Sequence, residues 1–158
     1  RLAQDVGLAL KHQKLRLAPA ESCTGGMVAM LVTAVAGSSA WFERGWVTYS
    51  NAAKVSELEV DPQVLDTDGA VSRACVLAMA QGAIRHSQAH VSLAISGIAG
   101  PDGGTPDKPV GTVWIAWGQK LGYAEAELFH FTGDRTSVRE QAAEAALNGL
   151  WTRLHDRR

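Results

Sequence analysis

Leu15-Arg16-Leu17-Ala18-Pro19-Ala20-Glu21-Ser22-Cys23-Thr24-Gly25-Gly26-Met27-Val28-Ala29-Met30-Leu31-Val32 decides the fold. Leu15 to Ala20 is apolar enough to read as a buried strand, and Met27 to Val35 as a helix that starts near Thr24 and ends near Ala36. Between them a hydroxyl, a thiol and two glycines sit where a strand hands over to a helix. Such a junction aims free N–H groups and a helix dipole above the sheet. Glycines there let a ligand approach the backbone. Ser22 or Cys23 is then a candidate nucleophile, with the N–H groups stabilising its anion. The competing reading is plainer: Ser22 or Thr24 caps the helix.

The rest of the chain extends this unit outward. Leu2, Val6, Ala9 and Leu10 recur at helical spacing up to about Gln13. Gly37-Ser38-Ser39 breaks the second helix. Trp41, Phe42 and Trp46 form an aromatic group that belongs in the core or at a subunit interface. Gly45 to Ser50 reads as a strand and Asn51 as the cap of a short helix carrying Lys54 and Leu58. Asp61-Pro62 opens a turn, and Ser72 caps a helix with a Val76, Met79, Ala80, Ala83 stripe. Val91 to Ile95 is a buried strand, followed by a Gly/Pro-rich loop from Ser96 to Pro109. Val110 to Trp117 and Tyr123 to Phe131 are close enough for an antiparallel hairpin, and Asp134 caps a last helix. This order predicts an α/β protein: a three-layer α/β/α sandwich with a mixed β-sheet, residues 1–158 forming one domain.

Composition narrows the function. The formal net charge of -1 leaves no basic excess for nucleic acid or a membrane surface. The apolar runs are too short to cross a bilayer, and no signal-peptide pattern opens the chain. Arg1 in place of Met leaves open that the chain is cut from a longer one. Cys23 and Cys75 offer no disulfide framework, which suits the cytoplasm. The histidines lack metal-ligand spacing. Glu21, Asp102, Asp107 and Asp134 share no local magnesium motif, so no metal and no cofactor is expected.

Three further groups carry chemistry. Ser96-Gly97-Ile98-Ala99-Gly100-Pro101-Asp102-Gly103-Gly104-Thr105 is neither a dinucleotide fingerprint nor a P-loop, yet such a loop can present N–H groups to an anion. Its plain reading is a tight turn. Tyr49-Ser50-Asn51-Ala52-Ala53-Lys54 puts Ser50 and Lys54 one helical turn apart. Lys54 in a partly desolvated pocket would serve as a general base, although lysines usually cover a solvated face. Tyr49 could relay a proton. Arg135 follows Asp134 in the first turn of a helix, where the dipole disfavours it, with Arg139 one turn on. Clamping a phosphate would explain it.

Together these stretches resemble one family, the C-terminal domain of the competence-damage protein CinA. The resemblance rests on Ala20 to Gly26, Gly45 to Lys54, Gly69-Ala70-Val71-Ser72, Ser96 to Val113 and Gly133-Asp134-Arg135, in the family's order. It implies a metal-free nicotinamide-nucleotide amidase that turns nicotinamide mononucleotide into nicotinate mononucleotide and ammonia. It also implies Ser/Lys catalysis, with Ser22 as nucleophile, Lys54 as base and Tyr49 as relay. The substrate would lie against Cys23, Thr24, Gly25, Gly26, Ser50, Asn51, Ser96, Gly97, Gly100, Gly103, Thr105 and Arg135. A homo-oligomer, dimer favoured, is expected, with the Trp41, Phe42 and Trp46 group as a candidate subunit interface. Three alternatives stay open: Cys23 as nucleophile, a nucleotide-binding module without turnover, and a metal-dependent phosphohydrolase.

Overall fold

In a computed structural model, described for residues 1–156, five strands form one mixed sheet with helices on both faces. The helices are α1 (Leu2–Gln13), α2 (Met27–Thr33), α3 (Asn51–Leu58), α4 (Pro62–Asp68), α5 (Arg73–Arg85) and α6 (Arg135–His155). The strands are β1 (Leu17–Glu21), β2 (Trp46–Val47), β3 (Val91–Gly97), β4 (Thr112–Gln119) and β5 (Ala124–His130). They lie in the order β2-β1-β3-β4-β5. β1 runs parallel to β2 and β3, and β3, β4 and β5 are antiparallel to one another in turn. The expected α/β/α sandwich and hairpin are therefore present.

The two faces of the sheet differ in side-chain size, because successive strand residues point to opposite sides. Val91, Leu93 and Ile95 of β3 and Val113, Ile115 and Trp117 of β4 join α1, α2 and α6 in one apolar cluster. On the other face Ala94 and Ala116 meet α5, with Ser92 donating to Ala80 O at 2.8 Å. Small residues let α5 approach closely, and a Cβ on Gly118 would lie 3.4 Å from that of Ala80. Pro19 sits in a central strand without penalty. Leu17 N–H bonds to Trp41 O on the β2 side, so the proline nitrogen two residues later faces that edge, and β2 pairs only from Ala20 onward.

Several expected boundaries move. The strand expected over residues 45–50 is only two residues long, because Thr48 leaves the ladder after one bond to Glu21 O. The cap of α3 is Ser50, which accepts from Ala53 N, and Asn51 is the first helical residue. Asp61, Ser72 and Asp134 cap α4, α5 and α6. Trp41 is buried core, packed against Gly7 of α1, where a Cβ would lie 2.5 Å from its ring.

Candidate active site

Ser22 is the first residue past β1, and its N–H bonds to Ile95 O at 3.0 Å, carrying the β1–β3 pairing up to the nucleophile candidate. The next turn differs from expectation. Neither Ser22 nor Thr24 caps α2, whose N-cap is Gly26 in the left-handed region at φ 100°. The capping acceptor is the carboxylate of Glu21, which takes Val28 N–H at 2.9 Å, Ala29 N–H at 3.0 Å and the Thr24 hydroxyl at 2.6 Å. An acid at the positive end of a helix is favourable, but here it consumes the N–H groups that were to face a ligand. The turn closes through Gly25 N–H to Ser22 O and Met27 N–H to Thr24 O. The N–H groups of Thr24 and Gly26 lie outside both sets of bonds. Cys23 points its thiol into the apolar cluster, and burial pushes its pKa up to about 11. A thiol held protonated is a poor nucleophile. Cys23 and Thr24 can therefore reach a ligand only through their backbones.

Lys54 lies on α3 one turn after the Ser50 cap and is 1% exposed. Its Nζ is 2.9 Å from Ser22 Oγ, 2.8 Å from Thr48 O and 3.0 Å from Tyr49 O. Burial lowers its pKa below the usual 10.5, against a smaller opposing influence of Cys75 and Cys23. Carbonyl oxygens can only accept, so both peptide carbonyls must receive N–H bonds from Nζ. A neutral amine then has its lone pair left for the third direction, towards Ser22, whose hydroxyl becomes the donor. The arrangement can take a proton from Ser22.

Tyr49 meets this centre through its carbonyl, not its phenol. The phenol oxygen accepts from Arg135 Nη2 at 3.2 Å, and the residue is 61% exposed. Arg135 also donates from Nη1 to Gly100 O at 2.8 Å. One guanidinium thus joins the Tyr49 stretch, the glycine-rich loop and the start of α6. Arg139, one turn on, donates to Cys23 O at 3.0 Å and Thr24 O at 3.3 Å.

The remaining predicted residues divide. Ser96 and Gly97 end β3 beside Ser22, Ser96 buried, and Gly97 has no room for a Cβ against Val113 and Thr112 of β4. Gly97 therefore has a packing reason to be glycine. Gly103 and Thr105 lie farther out in an exposed turn closed by Thr105 and Lys108, and no hydrogen bond among the described residues links them to Ser22 or Lys54. Lys108 pins that loop to Asp68 O at 2.7 Å. Asn51 is exposed at the first position of α3. Of the acids considered for magnesium, Glu21 and Asp134 are committed to helix starts. Among the described residues no group of three His, Cys, Asp or Glu side chains could hold a metal ion. A cavity of about 290 Å³ lies at the opposite end of the sheet, by Val91, Trp117 and Arg153. It offers no activated nucleophile, and Arg153 is engaged by Glu125 and Glu127.

Sequence reasoning missed the work of Glu21 and Thr48. An acid just before a helix start was the available signal for Glu21. Thr48 has none, since it acts through a carbonyl.

Known proteins share this arrangement's whole frame. The nicotinamide-nucleotide amidohydrolase PncC of Escherichia coli K12 is 50% identical over 151 residues, covering 96% of this chain and 92% of its own. A CinA-like protein of Akkermansia muciniphila is 51% identical over 149 residues, which span 36% of that longer protein. The crystal structure of a CinA superfamily protein from Klebsiella pneumoniae 700603 superposes with a TM-score of 0.94 at 41% identity, covering 98% of this chain and 96% of the other. A competence/damage inducible protein from Agrobacterium tumefaciens gives 0.94 at 40% identity, over 98% and 94%. The CinA C-terminal domain family model matches residues 1–154, a span that runs from α1 to the last turn of α6 and takes in every residue of the Ser22–Lys54 centre, so the chain belongs to that family.

Proposed function

We propose that the chain is a nicotinamide-nucleotide amidohydrolase, cleaving the carboxamide of nicotinamide mononucleotide to nicotinate mononucleotide and ammonia. The observation that carries this reading is the bond between buried Lys54 Nζ and Ser22 Oγ at 2.9 Å. The relatives named for this activity, half-identical to this chain, support the substrate.

Neutral Lys54 takes the Ser22 proton as Oγ attacks the amide carbon. The tetrahedral oxyanion draws on N–H groups of the Cys23–Gly26 turn. Lys54, now an ammonium, returns its proton to the departing nitrogen, which leaves as ammonia. Water then hydrolyses the acyl-serine with Lys54 again as base. Arg135, at the rim, binds the phosphate, and Tyr49 supports that arginine through its phenol and Lys54 through its carbonyl. Ser96, Gly97 and Gly100 line the ring and ribose. No metal enters the scheme.

Ammonia release from nicotinamide mononucleotide, measured with chelator present, tests the reading. Turnover by the wild type that disappears in Ser22→Ala supports it. Binding of the nucleotide with no ammonia from folded wild type overturns it in favour of a binding module.

Residues 1–158 are read as one cytoplasmic domain that self-associates, most simply as a dimer. Exposed Met30, Val47 and Tyr49 on the β2 side of the sheet support a second copy there, and sedimentation equilibrium tests it.

A further inference from the structure

Arg139 stands outside the reacting atoms, yet it touches the backbone on which they rest. Its Nε donates to Cys23 O and its Nη2 to Thr24 O, the two carbonyls that follow Ser22. In a trans peptide the C=O and N–H point in opposite directions. Holding the Cys23 carbonyl towards α6 therefore turns Thr24 N–H away from α6. Holding the Thr24 carbonyl does the same for Gly25 N–H, which closes on Ser22 O at 3.1 Å. If either peptide flipped, a carbonyl dipole would face the nucleophile's side of the turn. A cation on the carbonyl also polarises the peptide and strengthens its N–H as a donor.

Gly25 fits the same contact. It adopts φ 60°, and a Cβ there would lie 2.9 Å from Arg139 Nη2. The glycine leaves the space that the guanidinium fills.

We propose that Arg139 is a positioning residue for the amidase reaction: it fixes and polarises the two peptides after Ser22 so that their N–H edge, Thr24 in particular, serves the developing oxyanion. This rests on the amidohydrolase reading above.

The test compares wild type, Arg139→Gln, Arg139→Ala and the inactive reference Lys54→Met in ammonia release from nicotinamide mononucleotide, with thermal melts of each. The expected result is a fall in kcat of about 10- to 100-fold for Arg139→Gln, below the roughly 100- to 1000-fold of losing an oxyanion donor outright because the N–H itself remains, with KM within about threefold and a melt well above assay temperature. Methylguanidine restores part of the Arg139→Ala rate, and equal sodium chloride does not. Unchanged kcat in Arg139→Gln overturns the proposal. So does a loss that follows the unfolded fraction with no rescue, which marks a purely structural tie. A silent wild type overturns the amidohydrolase reading itself, an outcome distinct from the other two.

Discussion

Lys54 Nζ faces Ser22 Oγ across 2.9 Å, with its other hydrogen bonds received by the carbonyls of Thr48 and Tyr49. The amine is held by acceptors that cannot give a proton back, so the only exchangeable proton beside it is the serine's. Removing that hydroxyl leaves the cage intact and the reaction without an attacking atom. Ser22→Ala should lower kcat by about three orders of magnitude or more with little change in melting temperature. Cys23→Ala should keep most of the activity, since its thiol is buried and protonated. Parallel assays of the two variants decide, and the reverse ranking would move the nucleophile to Cys23.

Lys54 ties activity and stability to pH in the same direction. Burial lowers its pKa below 10.5, so over a window beneath that value the folded chain has released a proton that the unfolded chain keeps. The unfolded state binds more protons there, and stability rises with pH across the window. Activity should rise on a limb reporting the same deprotonation. Lys54→Met removes both slopes. Urea midpoints for wild type and Lys54→Met, and kcat/KM for wild type, over a pH series provide the measurement, and parallel stability curves for the two would contradict it.

Glu21 receives three hydrogen bonds while 1% exposed. An amide in its place turns one acceptor oxygen into a donor that opposes the N–H groups of Val28 or Ala29. Glu21→Gln should cost about 1–3 kcal/mol of stability, the range for a buried group left unpaired. Urea unfolding measures this, and a loss below about 0.5 kcal/mol would show that the turn is not held from β1.

Arg135 reaches Tyr49 and Gly100 from an exposed position, so its removal should spare the fold. Arg135→Ala is expected to raise KM for nicotinamide mononucleotide about tenfold or more, the scale of a lost charge-assisted bond, with a smaller effect on kcat. The same variant should make little difference with the nucleoside that lacks phosphate. An equal penalty on both substrates would place the phosphate elsewhere.

Continuous apolar runs at β1 and β3 and the caps Ser72 and Asp134 made most of the sandwich legible in the sequence. The strand expected over 45–50 failed because one face of a chain segment does not reveal when it leaves the sheet edge. Helix α2 came out shorter because Gly25 and Gly26 take positive φ and the cap comes from Glu21, a strand residue. The pairing of Ser22 with Lys54 spans 32 positions, and no local pattern encodes it. The family resemblance gave the two their catalytic roles, and the fold supplies the physical reason they meet: β1 ends and α3 begins above the same edge of the sheet. Tyr49 was legible as a member of the site but not through its main chain, because a backbone carbonyl leaves no mark on residue type.

The carboxylate at the start of α2 has a last consequence. In many sheets of this kind the mouth of the first helix welcomes a phosphate. Here the protein has closed that mouth with a negative charge of its own, and a second one is repelled. On the proposed reading, a nucleotide must reach past the reacting serine to find its counterion at Arg135. Substrates are then chosen by span, with the amide at one end of a fixed interval and the anion at the other, and a molecule too short to bridge it gains only half the grip.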